Sequence, residues 1–223
     1  MSFINIFYIY IKHIDLDSNI LIPFLTASVL LTFMPGPDII YVIMQSITNG
    51  KKYGIVTALG LVSGIIIHTT LIAFGVAAII QRSDTLFFLI KLFGAVYLFY
   101  LAYKTYKSSS EIQMDGDKIP NSSIVTLYKQ GFIMNLLNPK VVIFFLAFFP
   151  GFIIESEGNV TQQIYILGLL FMLQAFVVFS FISIVSDKLT LFLRGNKKFK
   201  QNLHWFQIIV FIAIGIYILF SDK

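Results

Sequence analysis

Six long apolar stretches leave this chain little choice of solvent. They run at roughly residues 20 to 48, 53 to 80, 86 to 106, 128 to 149, 162 to 185 and 203 to 220, and each reaches the length of about 17 to 25 residues that a helix needs to cross a hydrocarbon core. The apolar residues come in blocks instead of alternating with polar ones, and the mean hydropathy is +0.85. Only 12% of the 223 residues are charged, against roughly 25% in a soluble domain. A surface that must face water cannot be covered so thinly, which excludes a cytosolic enzyme, a nucleic-acid binder and a disordered module. The expected fold is an all-α integral membrane protein with six transmembrane helices.

The chain has no cysteine, so a thiol nucleophile, a disulfide, Cys-ligated zinc and an iron-sulfur cluster are excluded. His13, His68 and His204 lie far apart in sequence, without metal-ligand spacing. No metal and no cofactor are expected, and the chain does not read as an enzyme.

Residues 1–19 hold a short apolar run from Phe3 to Ile11, too short to span and lacking the flanks of a signal peptide; an interfacial extension is the expectation. A polar connection at 107–127 divides the rest into two three-helix halves, 20–106 and 128–223. Eleven basic residues (Lys51, Lys52, Lys104, Lys107, Lys118, Lys129, Lys188, Arg194, Lys197, Lys198, Lys200) fall on one side of the membrane. Only Lys12, Arg82 and Lys223 fall on the other. The positive-inside rule makes the basic loops cytoplasmic and both termini external. The net charge of +5 is then explained by contact with anionic membrane lipid, with no nucleic-acid partner implied.

Two of the six stretches are interrupted at corresponding places, the first at Pro35, Gly36, Pro37 and Asp38, the fourth at Asn138, Pro139 and Lys140. A repeat of three helices must insert its second copy upside down, so the halves read as inverted repeats with helices one and four broken near the midplane. A proline within a helix costs about 3 kcal/mol or more, and freed carbonyls have no water in lipid. Each break must therefore face protein or a wet cavity.

Charges sit at both breaks. Asp38 falls in the first turn of a restarted helix, where a carboxylate is favoured, whereas Lys140 places a cation against the positive end of another. A charge near the bilayer centre costs about 2.5 to 3.5 kcal/mol on insertion scales, so Lys140 requires an anion. Either Asp38 pairs with it directly, or a zwitterionic ligand completes both, its carboxylate on Lys140 and helix-start amides, its ammonium on Asp38. An amino acid fits that description.

Weaker signals lie nearby. Gly60, Gly64 and His68 share one face of the second helix; the glycines suit a close helix contact, within the chain or in a homodimer. His68 and Asp38 are candidates for a proton relay, with a packed structural histidine as the plainer alternative. Asn135 and Gln174 either line the pathway or link helices. Lys91 is expected to snorkel to the interface.

Met34-Pro-Gly-Pro-Asp38, the glycine spacing from Gly54 to Gly64, Leu92-Phe-Gly-Ala-Val-Tyr-Leu-Phe-Tyr-Leu101 and Gly131-Phe-Ile-Met-Asn-Leu-Leu-Asn-Pro-Lys140 together resemble the LysE/RhtB translocator family of amino-acid exporters. The resemblance runs from about Asn19 to the C-terminus. It implies a six-helix bacterial inner-membrane carrier that exports amino acids or close derivatives, driven by the proton gradient, with functional elements at Pro35, Gly36, Pro37, Asp38, Asn138, Pro139 and Lys140. The alternatives are export of another small solute or a metal ion, a nontransporting scaffold, and an intramembrane enzyme using His68 and Asp38 as acid and base.

Overall fold

The computed structural model describes residues 18–76, 84–107, 123–154, 159–195 and 197–220. Of the extension expected over residues 1–19, residues 1–17 lie outside the described residues, as do residues 108–122 of the polar connection expected at 107–127. The elements are α1 (Ser18–Phe33), α2 (Pro37–Asn49), α3 (Lys51–Leu71) running into a π-turn (Ile72–Val76), α4 (Asp84–Lys107), α5 (Ile124–Leu136) and α6 (Pro139–Ile143). A π-turn (Phe144–Phe148) and a 3-10 turn (Phe149–Phe152) prolong α6, and α7 (Val160–Gly195) and α8 (Lys197–Phe220) complete the chain. Among the described residues there is no strand. Four helices are long and apolar enough to cross a bilayer on their own, and two bent pairs do so jointly, giving up to six crossings.

The bent pairs are α1 with α2, angled by 58°, and α5 with the α6 segment, angled by 48°. These are the two interruptions expected from the sequence. At the first, Met34 still donates to Leu30 at 3.1 Å; Gly36 is extended and Pro37 restarts the helix. At the second, Asn138 leaves the helical conformation, its Oδ1 accepts the Lys140 backbone N–H at 3.1 Å, and Pro139 starts α6. Proline lacks the donor that the helix interior requires but suits a first position, so each break is a stop followed by a start.

Several boundaries differ from the hydropathy reading, among them the end of α7 at Gly195 instead of 185. Helix α5 begins at Ile124, not 128, because the Ser123 hydroxyl caps it by accepting from Thr126 N at 3.2 Å; a polar cap and first turn look like loop to a hydropathy count. Similarly α8 starts at Lys197, within the basic segment. The Phe144–Phe152 stretch leaves regular α geometry around Pro150, whose ring would clash with the carbonyl four residues earlier in a regular α-helix.

Helix α3 lies at the centre, packed against α2, α5 and α7, while α4 and α8 pair with each other. The α3–α5 seam is built on glycine from both sides. A Cβ on Gly60 would strike the Tyr128 carbonyl and lie 3.0 Å from Phe132 N; one on Gly131 would strike the Thr57 carbonyl and lie 3.0 Å from Leu61 N. Gly64 meets the Asn135 side chain. The Gly60 and Gly64 strip is thus used up within the chain. Because the obstacle at Gly60 is backbone, Gly60→Leu is expected to cost at least the roughly 1 to 3 kcal/mol of overpacking, read as loss of monodisperse protein after heating in detergent. A variant as heat-resistant as the wild type would contradict the seam.

Lys91, on α4, is 8% exposed. Its side chain is covered by the protein.

Candidate functional site

The two breaks meet through one ion pair. Lys140 Nζ lies 3.0 Å from Asp38 Oδ2 and 3.2 Å from Oδ1, with side-chain exposures of only 6% and 3%. Its third contact is the Met34 carbonyl at 3.2 Å. An ammonium has three donors, so the cation is saturated by Asp38 and the end of α1.

This arrangement corrects the expectation that Lys140 sits unfavourably at a positive helix end. Its backbone does start α6, but the four-carbon stem carries the ammonium to the carbonyl end of α1, where the helix dipole favours a cation. Asp38, in the first turn of α2, occupies the complementary end. Between them Gly36 provides room: an added Cβ would lie 2.6 Å from Asp38 Oδ1 and 3.2 Å from Lys140 Nζ.

Further polar groups close around the breaks. The Pro35 carbonyl accepts from Gln207 Nε2 at 3.0 Å, so α8 also holds the first break. The Asn135 carbonyl accepts from the Asn138 backbone N–H at 3.1 Å and from His68 Nε2 at 3.4 Å. A carbonyl can only accept, which places a proton on Nε2. The imidazole lies 5.5 Å from the Phe145 ring, and His68 and Asp38 share no hydrogen bond. Gln174 Nε2 donates to Thr32 Oγ1 at 3.1 Å, and Thr32 in turn donates to the Ser28 carbonyl at 2.8 Å. Since the Thr32 proton is committed, Gln174 must present its amide nitrogen there and keep Oε1 as a spare acceptor. Asn138, holding the Lys140 N–H with Oδ1, keeps Nδ2 as a spare donor. Gln174 Oε1, Asn138 Nδ2 and Asn135 Oδ1 are buried with no hydrogen-bond partner.

The structure therefore brings Asp38, Lys140, Gly36 and Asn138 together, with Asn135 and His68 adjoining and Gln174 attached through Thr32. Thr32 and Gln207 escaped the sequence reading. Gln207 carried the same signal as Gln174, an amide inside an apolar stretch, but its place near the start of the sixth stretch resembles an interface.

An open cleft of about 580 Å³ runs from the first turns of α5 at Thr126, Lys129 and Gln130 to Pro37, Asn138 and Pro139 at the breaks. The Tyr41 hydroxyl donates to Gln130 Oε1 at 2.6 Å, tying α2 to α5. On the other side of the breaks the bundle is closed by rings. Phe24 of α1 packs 5.5 Å from Phe149 and 5.3 Å from Phe152, and Phe144 lies 5.1 Å from Phe171. There the Gln163 side chain clamps the Ile154 backbone, accepting from its N–H at 2.9 Å and donating to its carbonyl at 2.8 Å.

Comparison with known proteins agrees with this architecture. The chain is 29% identical over 204 residues to the uncharacterized membrane protein YrhP of Bacillus subtilis (strain 168), covering 88% of this chain and 96% of that one. It is 28% identical over 177 residues to the homoserine/homoserine lactone efflux protein of Salmonella typhimurium (strain LT2), covering 79% and 85%. No solved structure matches it. The family model described as LysE type translocator matches residues 29–222. Over nearly the whole length of its broken-helix bundle, this multi-pass membrane protein, a translocator of a small molecule and not an enzyme, belongs to the LysE type translocator family.

Proposed function

We propose that this chain exports an amino acid or a close derivative across the bacterial inner membrane in exchange for protons, with Asp38 and Lys140 holding the substrate. The observation that carries this reading is the buried ion pair joining the two helix breaks. A substrate carboxylate can replace Asp38 on Lys140, and a substrate ammonium can replace Lys140 on Asp38 and the Met34 carbonyl. A zwitterion thus exchanges one pair for two without stranding a charge in lipid. The spare amide groups of Asn138, Asn135 and Gln174, together with Pro35, Gly36, Pro37 and Pro139 that shape the breaks, form the rest of the site. The Salmonella relative, named for homoserine and its lactone, supports this class of cargo.

Asp38 accepts either a substrate ammonium or a proton, but not both. A proton arriving from outside displaces the ammonium and travels inward; its release lets Asp38 rejoin Lys140. Coupling follows from this competition. His68, bonded to the second break through Asn135, is the second candidate on the proton path.

The halves 20–106 and 128–223 are read as inverted repeats, with basic loops cytoplasmic and both termini external. Two cross-contacts support this: His68 on α3 reaches the last turn of α5, and Gln174 on α7 reaches the last turn of α1. Each half's second spanning helix thus grips the other half's broken helix, as a two-fold axis in the membrane plane requires.

The test is efflux from cells expressing the chain and loaded with mixed dipeptides. One or a few amino acids are expected to accumulate in the medium above the control, and a proton uncoupler is expected to abolish the excess. Protein present in the membrane with no excess of any amino acid would refute the proposal.

A further inference from the structure

The cleft beside the breaks has walls ill suited to a zwitterion. Six of its lining residues, Thr126, Lys129, Gln130, Ile133, Met134 and Leu137, fall at the three- and four-residue spacing that puts them on one face of α5 and its C-cap, Leu137. Along that face the chemistry changes once. The first turns carry a hydroxyl, an ammonium and an amide; the rest is apolar and exposed, Ile133 at 53% and Leu137 at 75%. Beyond Leu137 the cleft ends on Pro37, Asn138 and Pro139, at the level of the breaks.

From Thr126 to Leu137 the helix rises about 16 Å, half of a hydrocarbon core of roughly 30 Å. The groove is thus one leaflet deep, polar and basic at its mouth and apolar to its floor. That is the profile of a phospholipid, headgroup and chain, read in the same direction. A bare lysine at a membrane interface favours an anionic headgroup, and exposed apolar walls favour an acyl chain.

We infer that the cleft between α2 and α5 holds one anionic phospholipid, its phosphate on Lys129 and Thr126 and an acyl chain against Ile133, Met134 and Leu137. The chain end abuts Pro37 of the first break and Pro139 of the second, so the lipid wedges the two restarted helices next to the Asp38 and Lys140 pair. Any movement of α2 against α5 must displace or compress it. The floor of this cleft, Pro37, Asn138 and Pro139, borders the proposed substrate site, but the headgroup contacts at Lys129 and Thr126 do not rest on what the pair transports.

The experiment is lipid retention by the purified full chain, read by native mass spectrometry after exchange through mixed vesicles of phosphatidylglycerol and phosphatidylcholine with identical acyl chains. One phosphatidylglycerol per chain is expected to remain, favoured about fivefold over phosphatidylcholine by a single lysine. Lys129→Gln should erase the headgroup preference, and Leu137→Trp, which fills the exposed groove, should lower retention of both lipids. Equal retention of the two lipids by the wild type, which needs no variant to fold, overturns the site. So does retention unchanged in both variants. Inorganic phosphate that displaces the bound lipid would show a free-anion site at Lys129 and would likewise overturn it.

Discussion

Lys140→Ala is expected to remove about 3 to 5 kcal/mol of stability, the usual cost of stranding one member of a buried ion pair. Asp38 would lose the only ion-pair partner that contacts it among the described residues, and the Met34 carbonyl would lose its donor. The paired replacement Asp38→Asn with Lys140→Met removes both charges while keeping similar volume, and such swaps are often neutral or better. The double variant should therefore recover most of the thermal stability lost by the single one and still transport nothing, because neither substrate charge finds a partner. Thermal unfolding in detergent and efflux in cells separate the two effects. A double variant that transports would remove the pair from the mechanism. One that remains as unstable as Lys140→Ala would mean that the loss comes from the missing lysine stem packing, not from the stranded carboxylate.

Much of this architecture is legible in the sequence, and residue chemistry decides which part. The apolar helices and the two breaks follow from residue type alone, because lipid tolerates few backbone solutions and proline is incompatible with a helix interior. The cost of a lone charge in lipid says that Lys140 needs an anion but leaves open whether Asp38 or a ligand supplies it; the structure shows the direct pair. What sequence could not give was where a long side chain ends. Lys140 looked badly placed because its Cα is at a helix start, whereas its ammonium belongs to the end of α1. The roles of Gln207 and Thr32 depend on which carbonyls and hydroxyls a particular crossing angle presents. The start of α5 at a serine cap was hidden because hydropathy sees side chains, and a helix end is a matter of backbone donors. The glycine strip was recognised, but only the structure shows that its partner is the Gly131 face of α5.

The ring cluster beyond the breaks leads to the second large effect. Carrying a zwitterion from one side to the other requires that the closed side open, and on that side α1 meets the α6 extension through Phe24, Phe149 and Phe152. The non-α turns of Phe144–Phe152 give this segment fewer regular helical bonds to lose when it moves. Because the chain has no cysteine of its own, Phe24→Cys with Phe149→Cys introduces the only two thiols. Joining them with a short bis-methanethiosulfonate, which forms a disulfide to each thiol and releases methanesulfinate, is expected to abolish efflux, and a thiol reductant that cleaves those disulfides should restore it, while each single variant treated in the same way keeps transporting. If fully cross-linked protein still exports, α1 and the α6 extension do not part during the cycle, and the substrate must leave by another route. Efflux that stops and then returns on reduction would place the moving contact on the side of the ion pair opposite the cleft, as alternating access about a buried central pair demands.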